Sequence, residues 1–290
     1  MRKPLRNVGA SVRARLLNLA KERNQPFDLL LTRYTLERLL YRLSLSVYRE
    51  QFVLKGAMLT ASWMDDPHRP TRDLDLLGFG DFDADATVGV FREICAIEKD
   101  DAVVFDVEGL TVDRIRDEQE YGGLRIKTDA TVDGAKIRVL IDIGFGDAVE
   151  PGITEIDLPV LLDQPAPCLR AYRYETVIAE KFQAMVALGR ANSRMKDFYD
   201  IWILARSLEF EGDRLARAIA ATFARRKTEI PTELPDALTP EFADDQTKQQ
   251  QWAGFLKDVA INPGTLAEVI EELAAFLMPR AVEARSLRSR

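Results

Sequence analysis

The chain has 290 residues, 47% of them hydrophobic and 30% charged, and 40 Lys+Arg against 47 Asp+Glu give a net charge of −7. That length suits one large domain or two ordinary ones, and the composition excludes a disordered, fibrous or generally basic nucleic-acid-coating chain. No apolar run approaches the roughly 18–20 residues of a membrane span, and the charged N-terminus has no signal-peptide core, so a cytoplasmic protein without membrane contact is expected.

The first 50 or so residues read as helix, with Leu16, Leu17, Leu19 and Ala20 on one stripe and Leu36, Leu39, Leu40, Leu43 and Val47 at helical spacing on the next. Gln51–Leu54 is a short strand closed by Gly56, and 57–64 a short helix. The proline-bearing stretch 65–71 is a loop, followed by a strand over Leu74–Phe79 and a helix over Thr87–Ile97. From Val103 the period switches to two, predicting strands over Val103–Val107, Leu124–Thr128 and Lys136–Ile143, the last two joined by an Asp133-Gly134 hairpin turn. After a proline-rich stretch, Glu175–Arg190, Met195–Ser207, Leu215–Arg226 and Leu266–Leu277 read as helices. This is an α+β order: a helical segment over 1–50 packed on a core over 51–165, then a helical domain over 166–290.

Counting narrows the chemistry. Cys95 and Cys168 give no disulfide framework, and the only histidine, His68, has a turn-like setting, so a zinc–histidine site or a Ser-His-Asp triad is nearly excluded. Asp81-Phe-Asp83-Ala-Asp85 has the opening of an EF-hand loop but Ala86 and Arg92 where Gly and Glu are needed, so it reads as a loop and helix N-cap. The informative segment is Arg72-Asp73-Leu74-Asp75-Leu76. In a strand, Asp73 and Asp75 share a face, and two adjacent carboxylates ionise together most readily around a hard cation such as Mg²⁺. The alternative is a solvated strand edge.

A Lys55-Gly56-Ala57 turn precedes that strand, where backbone N–H groups can approach a phosphate. Asp142 stands alone in the apolar strand Val139–Ile143, and a buried unpaired charge is costly. It is therefore either functional or paired with Arg138 on its own face. Farther along, Lys181 falls on the apolar stripe of its helix, and Asp197 and Asp200 share a face with Ile201 and Leu204. These could contact a ligand or form one structural network in which Lys181 or Lys196 pairs with Asp197 or Asp200.

Five blocks together resemble the nucleotidyltransferase AbiEii/AbiGii toxin family of the polymerase-β-like nucleotidyltransferase superfamily. They are Phe52-Val-Leu-Lys-Gly-Ala57, Arg69-Pro-Thr-Arg-Asp-Leu-Asp-Leu76, Ile141-Asp-Ile-Gly-Phe-Gly-Asp147, Ala179-Glu-Lys-Phe-Gln-Ala184 and Arg194-Met-Lys-Asp-Phe-Tyr-Asp-Ile-Trp202. The resemblance implies a small mixed sheet with helices, then a helical bundle. It also implies transfer of a nucleoside monophosphate from an NTP to an acceptor, the 3′ end of tRNA being the expected one, in a toxin–antitoxin or abortive-infection system whose antitoxin could be a winged-helix protein. On this resemblance Asp73, Asp75 and Asp142 hold Mg²⁺ (or Mn²⁺) for two-metal catalysis, and Lys181, Asp197 and Asp200 complete the catalytic set. Lys55, Gly56, Ala57, Thr71, Arg72, Lys181, Arg194 and Lys196 bind the nucleotide. The superfamily's Gly-Gly or Gly-Ser is Gly56-Ala57 here, which moves the expected phosphate grip to backbone N–H groups, Lys55 and the later lysine. A non-catalytic nucleotide-binding toxin and a transferase acting on a small molecule are the alternatives.

The −7 is uneven. Residues 65–120 carry 17 acids and 6 basic residues, residues 1–23 carry 7 basic residues and one acid, and Arg214, Arg217, Arg225, Arg226 and Lys227 form a run without an intervening acid. Arg280, Arg285, Arg288 and Arg290 make the C-terminus basic as well. The distribution is that of an acidic, metal-binding centre with basic ends that could hold an RNA backbone, or of ordinary solvated helix faces.

Overall fold

The computed structural model describes residues 7–60, 62–64, 69, 71–80, 83–115 and 122–288. His68, Pro70, Asp81 and Arg290, all named above, lie outside them. The chain divides into two compact units: Met1–Asp65 with Pro70–Gly146 and Glu155–Ala171, and Asp66–Arg69 with Asp147–Thr154 and Tyr172–Arg290.

The first unit opens with helices α1 (Val8–Glu22) and α2 (Phe27–Leu45). Asn7 caps α1 by accepting from the Ala10 N–H at 3.0 Å. Strand β1 (Phe52–Lys55) runs into the short helix α3 (Gly56–Thr60), followed by β2 (Asp73–Gly78), helix α4 (Ala84–Cys95), then β3 (Val103–Phe105), β4 (Thr111–Ile115), β5 (Gly123–Val132), β6 (Ala135–Phe145), β7 (Thr154–Asp157) and β8 (Cys168–Ala171). They form one mixed sheet in the order β3-β5-β6-β2-β1-β8-β7, with β4 pairing the first half of β5 on the edge where β3 pairs its end. The period-two reading of β6 holds residue by residue: Ile137, Val139, Ile141 and Ile143 are buried, while Arg138, Leu140 and Asp142 are not. Asp133 and Gly134 both take positive φ, +47° and +77°, which is the type I′ geometry that matches strand twist. Asp83 caps α4 by accepting from the Ala86 N–H at 2.7 Å, the role expected of this decoy loop. The strands β4, β7 and β8 were not predicted: each is five residues or fewer, and β4 and β7 lack an apolar alternation.

Helix α2 packs on β6, β8 and α4. It is buried nearly all round and carries two arginines inside. Arg38 donates from one Nη to the Pro165 carbonyl at 3.0 Å, while its Nε and other Nη have no hydrogen-bond partner among the described residues, and Arg42 is fully paired. Arg42 donates to both oxygens of Asp101, at 2.6 and 3.1 Å, and to the Val103 carbonyl.

The second unit is helical: α5 (Tyr174–Leu188), α6 (Met195–Ser207), α7 (Arg214–Arg225), α8 (Pro240–Ala243), α9 (Gln246–Phe255) and α10 (Leu266–Arg288). Helix α5 packs on α6 and α7, and α10 on α6, α7 and α8, around Phe182, Phe198, Ile219, Phe223 and Leu273. Gly189, with φ +48°, ends α5, the left-handed stop that glycine accepts at least cost.

Candidate active site

In the first unit the predicted carboxylates lie on one face of the sheet. Asp73 opens β2, Asp75 follows two residues on, and their half-burial alternates with the fully buried Leu74 and Leu76. Strand β2 is parallel to β6 in a register that sets Asp75 beside Asp142. It is antiparallel to β1, which sets Lys55 beside Asp75, and β6 is antiparallel to β5, which sets Arg125 beside Asp142. One row across four strands therefore reads Lys55, Asp75, Asp142, Arg125: two carboxylates between two cations. Asp73 stands one row farther along, where β1 has already ended.

The Asp142 carboxylate is held by Arg125 in a bidentate pair, with both N–H···O distances 2.6 Å. The Asp142 hydrogen bond, against the opposing effect of burial, raises the Arg125 pKa above its usual value. The expected alternative partner, Arg138, instead faces Asp129 across the hairpin and pairs with it at 2.9 Å. Thr71 donates its hydroxyl to an Asp73 oxygen at 3.2 Å, and the Arg72 N–H reaches the same oxygen at 3.3 Å, so the turn before β2 orients the first carboxylate. The Arg72 guanidinium pairs with Asp28 at 2.8 Å on the surface. Gly56, at φ +71°, makes the turn from β1 into α3. Ala57 lies within α3 and needs no left-handed backbone, so the Gly-Ala departure costs the turn nothing.

In the second unit, Lys181 on α5 meets both carboxylates of the first turns of α6, Asp197 at 2.6 Å and Asp200 at 2.8 Å. Arg69 closes the cluster with two bonds to Asp200, at 2.6 and 2.7 Å. Two cations and two carboxylates leave no net charge, which is how such groups can lie inside. Burial opposes ionisation of Asp200, but Lys181 and Arg69 outweigh it and hold its pKa below the ordinary range. Burial likewise opposes the Lys181 charge, and Asp197 and Asp200 overcome it and raise its pKa. Two carboxylates occupy two of the three N–H donors of the Lys181 ammonium. Arg194 and Lys196 lie exposed at the start of α6 outside this network, so Lys181, and not Lys196, is the lysine that pairs with Asp197 and Asp200.

Much of the basic run around α7 is spent within the unit. Arg214 pairs with Glu211 at 3.0 Å, and Arg217 with Asp213 and with Glu150. Arg226 reaches Asp147 at 3.3 Å and Glu180 at 3.4 Å.

The sequence model described as nucleotidyl transferase AbiEii toxin, type IV toxin–antitoxin system, matches residues 38–276. The chain belongs to the AbiEii nucleotidyltransferase toxin family. Among solved structures it is similar to a provisionally assigned nucleotidyltransferase from H. pylori, at 16% identity and TM-score 0.51 over 89% of this chain and 96% of that one. At that identity the likeness speaks for the fold. A further similar structure, JHP933 from Helicobacter pylori, covers 90% of this chain and 94% of its own at 15% identity and TM-score 0.47. No curated protein matches the chain. Family membership carries nucleotidyl transfer as the general activity and an antitoxin as partner. Among the described residues, no helix is long and apolar enough to cross a membrane.

An AbiEii-family nucleotidyltransferase expected to work with a divalent cation can be tested against the donor set. Asp73 and Asp75 offer oxygen ligands without soft atoms, which suits Mg²⁺ or Mn²⁺. Gly56 leaves open a space beside them: a Cβ there would come within 2.6 Å of the Asp75 carboxyl carbon. The residues fit a divalent cation. Among the described residues no group of three or more ligating side chains stands assembled, and both Asp142 oxygens are engaged by Arg125. Gly56→Ala is expected to cut nucleotidyl transfer at least about tenfold and lower stability by about 1–2 kcal/mol, since it adds left-handed strain and crowds Asp75. Parallel activity and thermal-melt measurements check this.

Two residues of the site went unpredicted, Arg125 and Arg69. Arg125 was legible. A two-residue turn at Asp133-Gly134 pairs Val132 with Ala135, and counting outward places Arg125 against Asp142. Arg69 stands in one of the family-like blocks, but its pairing with Asp200, 131 residues away, has no signal in the local sequence.

Proposed function

We propose that the protein transfers a nucleoside monophosphate from an NTP to the 3′ end of an RNA acceptor, tRNA being the expected one, with Mg²⁺ or Mn²⁺ as cation. The observation that carries this is the placement of Asp73, Asp75 and Asp142 on one sheet face beside the Gly56 turn. Asp73 and Asp75, joined by Asp142, would hold the cation. When bound, such ions activate the acceptor hydroxyl and neutralise the leaving pyrophosphate. In the reaction a bond forms between the acceptor 3′ oxygen and the α-phosphorus, and the bond from that phosphorus to pyrophosphate breaks. Asp142, released from Arg125, orients the hydroxyl and accepts its proton.

Lys55, the backbone of Gly56-Ala57, Thr71 and Arg72 grip the triphosphate. Lys181 gives its third N–H to a phosphate oxygen, and Asp197 and Asp200 orient it. Arg194 and Lys196 add cationic contacts to phosphate. A winged-helix protein is the proposed antitoxin.

The bidentate Asp142–Arg125 pair favours one second reading, a toxin that binds nucleotide without turning it over. Incubation with each α-labelled NTP, Mg²⁺ and total RNA separates them: label entering RNA supports transfer, whereas nucleotide binding with no pyrophosphate released supports the second reading.

A further inference from the structure

At the start of α6 the transfer reading uses only the charges of Arg194 and Lys196, not the pocket they line. A shallow, open depression of about 430 Å³ is lined by Ser193, Arg194, Met195, Lys196, Gln251 and Phe255. Its wall on α9 is aromatic. The Phe255 ring stacks on Trp252 with centroids 5.7 Å apart and meets Tyr199 edge-on at 5.5 Å, yet stays partly exposed. Two buried neighbours thus hold an aromatic platform rigid.

A second observation points to a ligand. The Gln251 side-chain oxygen is buried and has no hydrogen-bond partner, and a buried unpaired amide is costly unless something binds it. The rim is cationic. Arg194 and Lys196, which line it, are exposed, and no acid occurs in the sequence between Leu188 and Lys196. The helix N-terminus itself is not the attraction, because the N–H groups of Arg194, Met195 and Asp197 already donate to Asn192, Ser193 and Arg194.

We propose that this pocket binds one unpaired nucleobase of a single-stranded RNA. The base stacks on Phe255, its edge is met by the Gln251 amide, and the adjoining phosphates lie on Arg194 and Lys196. This rests on the RNA-transfer reading for its biological sense, but not for its binding. An aromatic platform beside unpaired cations is the usual construction for single-stranded nucleic acid, and stacking tolerates any base. The Gln251 amide can accept through its oxygen and donate through its nitrogen, so it can meet the edge of any base, the N3–H of uracil included. An acidic peptide would satisfy the cations but leave both Phe255 and Gln251 unused.

The test is fluorescence anisotropy of labelled RNAs of about ten nucleotides. They differ only in the last base and are measured with the full chain at low salt in EDTA. Wild type is expected to bind all four, because stacking on Phe255 tolerates any base. Phe255→Leu, which keeps apolar packing, should weaken binding about five- to fiftyfold, and Phe255→Ala at least as much. Gln251→Ala should weaken binding of all four alike. Arg194→Ala and Lys196→Ala should each reduce the salt slope by about one. Unchanged affinity in folded Phe255→Leu, or displacement of RNA by polyglutamate as readily as by unlabelled RNA, overturns the proposal. RNA binding of this pattern without any transfer of label overturns the transferase reading alone. Transfer of label with RNA affinity indifferent to Phe255→Leu overturns the base-binding pocket alone.

Discussion

Asp73→Ala is expected to remove nucleotidyl transfer, by at least about 10³-fold, equivalent to the several kcal/mol a carboxylate-held cation supplies at a developing phosphate charge. The fold should survive. Asp73 is half-buried, and its hydrogen bonds come from Thr71 and Arg72 in its own turn, at 3.2 and 3.3 Å, which stabilise by about 1 kcal/mol or less. Against that loss stands relief of repulsion from Asp75 on the same face. The melting temperature without cation should therefore be unchanged or slightly raised. Wild type should gain stability when Mg²⁺ is added, because a ligand that binds only the folded state stabilises it, and Asp73→Ala should not. That second readout separates a cation ligand from a residue needed only for turnover. Differential scanning fluorimetry with and without Mg²⁺, beside the transfer assay, measures both. A mutant that still melts higher in Mg²⁺ and still transfers label is incompatible with the proposed role of Asp73.

The second large effect is on stability. Lys181→Met should destabilise the protein by about 3–5 kcal/mol, the usual result of removing one partner from a buried ion pair. Asp200 would keep Arg69, but Asp197 would lose the cation 2.6 Å away while remaining 6% exposed. Lys181→Met with Asp197→Asn should recover most of the loss, since no unbalanced charge is left; urea denaturation of the set checks this.

The pH dependence follows from the same cluster. The folded Asp200 pKa is depressed, so its stabilisation is full above the ordinary value of 3.8 and is lost as pH falls through the folded pKa. The folded Lys181 pKa is raised, so its stabilisation is full below 10.5 and is lost as pH rises through the folded pKa. Lys181→Met therefore moves acid unfolding to higher pH. If Lys181 also touches phosphate, Lys181→Arg, which keeps the charge, should restore most of the stability but not the KM for NTP. A purely structural lysine would restore both.

Legibility in the sequence followed the physics of each signal. Strand β6 and its solitary Asp142 were plain because alternation assigns every residue to a face, and an acid beside four buried aliphatics must be accounted for. Asp73 and Asp75 were plain for the same reason, as was the Gly56 turn. Arg138 stood as the alternative partner of Asp142 because it shares a face of the same strand, and pairing across strands decides otherwise. The hairpin register puts Arg138 opposite Asp129 and Arg125 opposite Asp142.

In the helical half, charges on apolar stripes marked Lys181, Asp197 and Asp200 as paired or functional. Periodicity could not tell Lys181 from Lys196 as the partner, since that depends on how α5 lies against α6. The charge runs misled most: Arg214, Arg217 and Arg226 look like a free basic face, and each finds an acid across a turn or on another element. Of the cations left exposed at the start of α6, Lys196 stood out by its spacing from Asp200, and Arg194 only through family resemblance.

The central claim is that the β2 and β6 carboxylates serve nucleotidyl transfer onto RNA. The most direct measurement is the intact mass of a defined RNA after incubation with the protein, Mg²⁺ and each NTP in turn. The expected result is a gain of one or more whole nucleoside monophosphates with release of pyrophosphate, dependent on Mg²⁺ and absent with Asp73→Ala. An RNA of unchanged mass across acceptors that include tRNA, with NTP bound by the protein yet left intact, would contradict it.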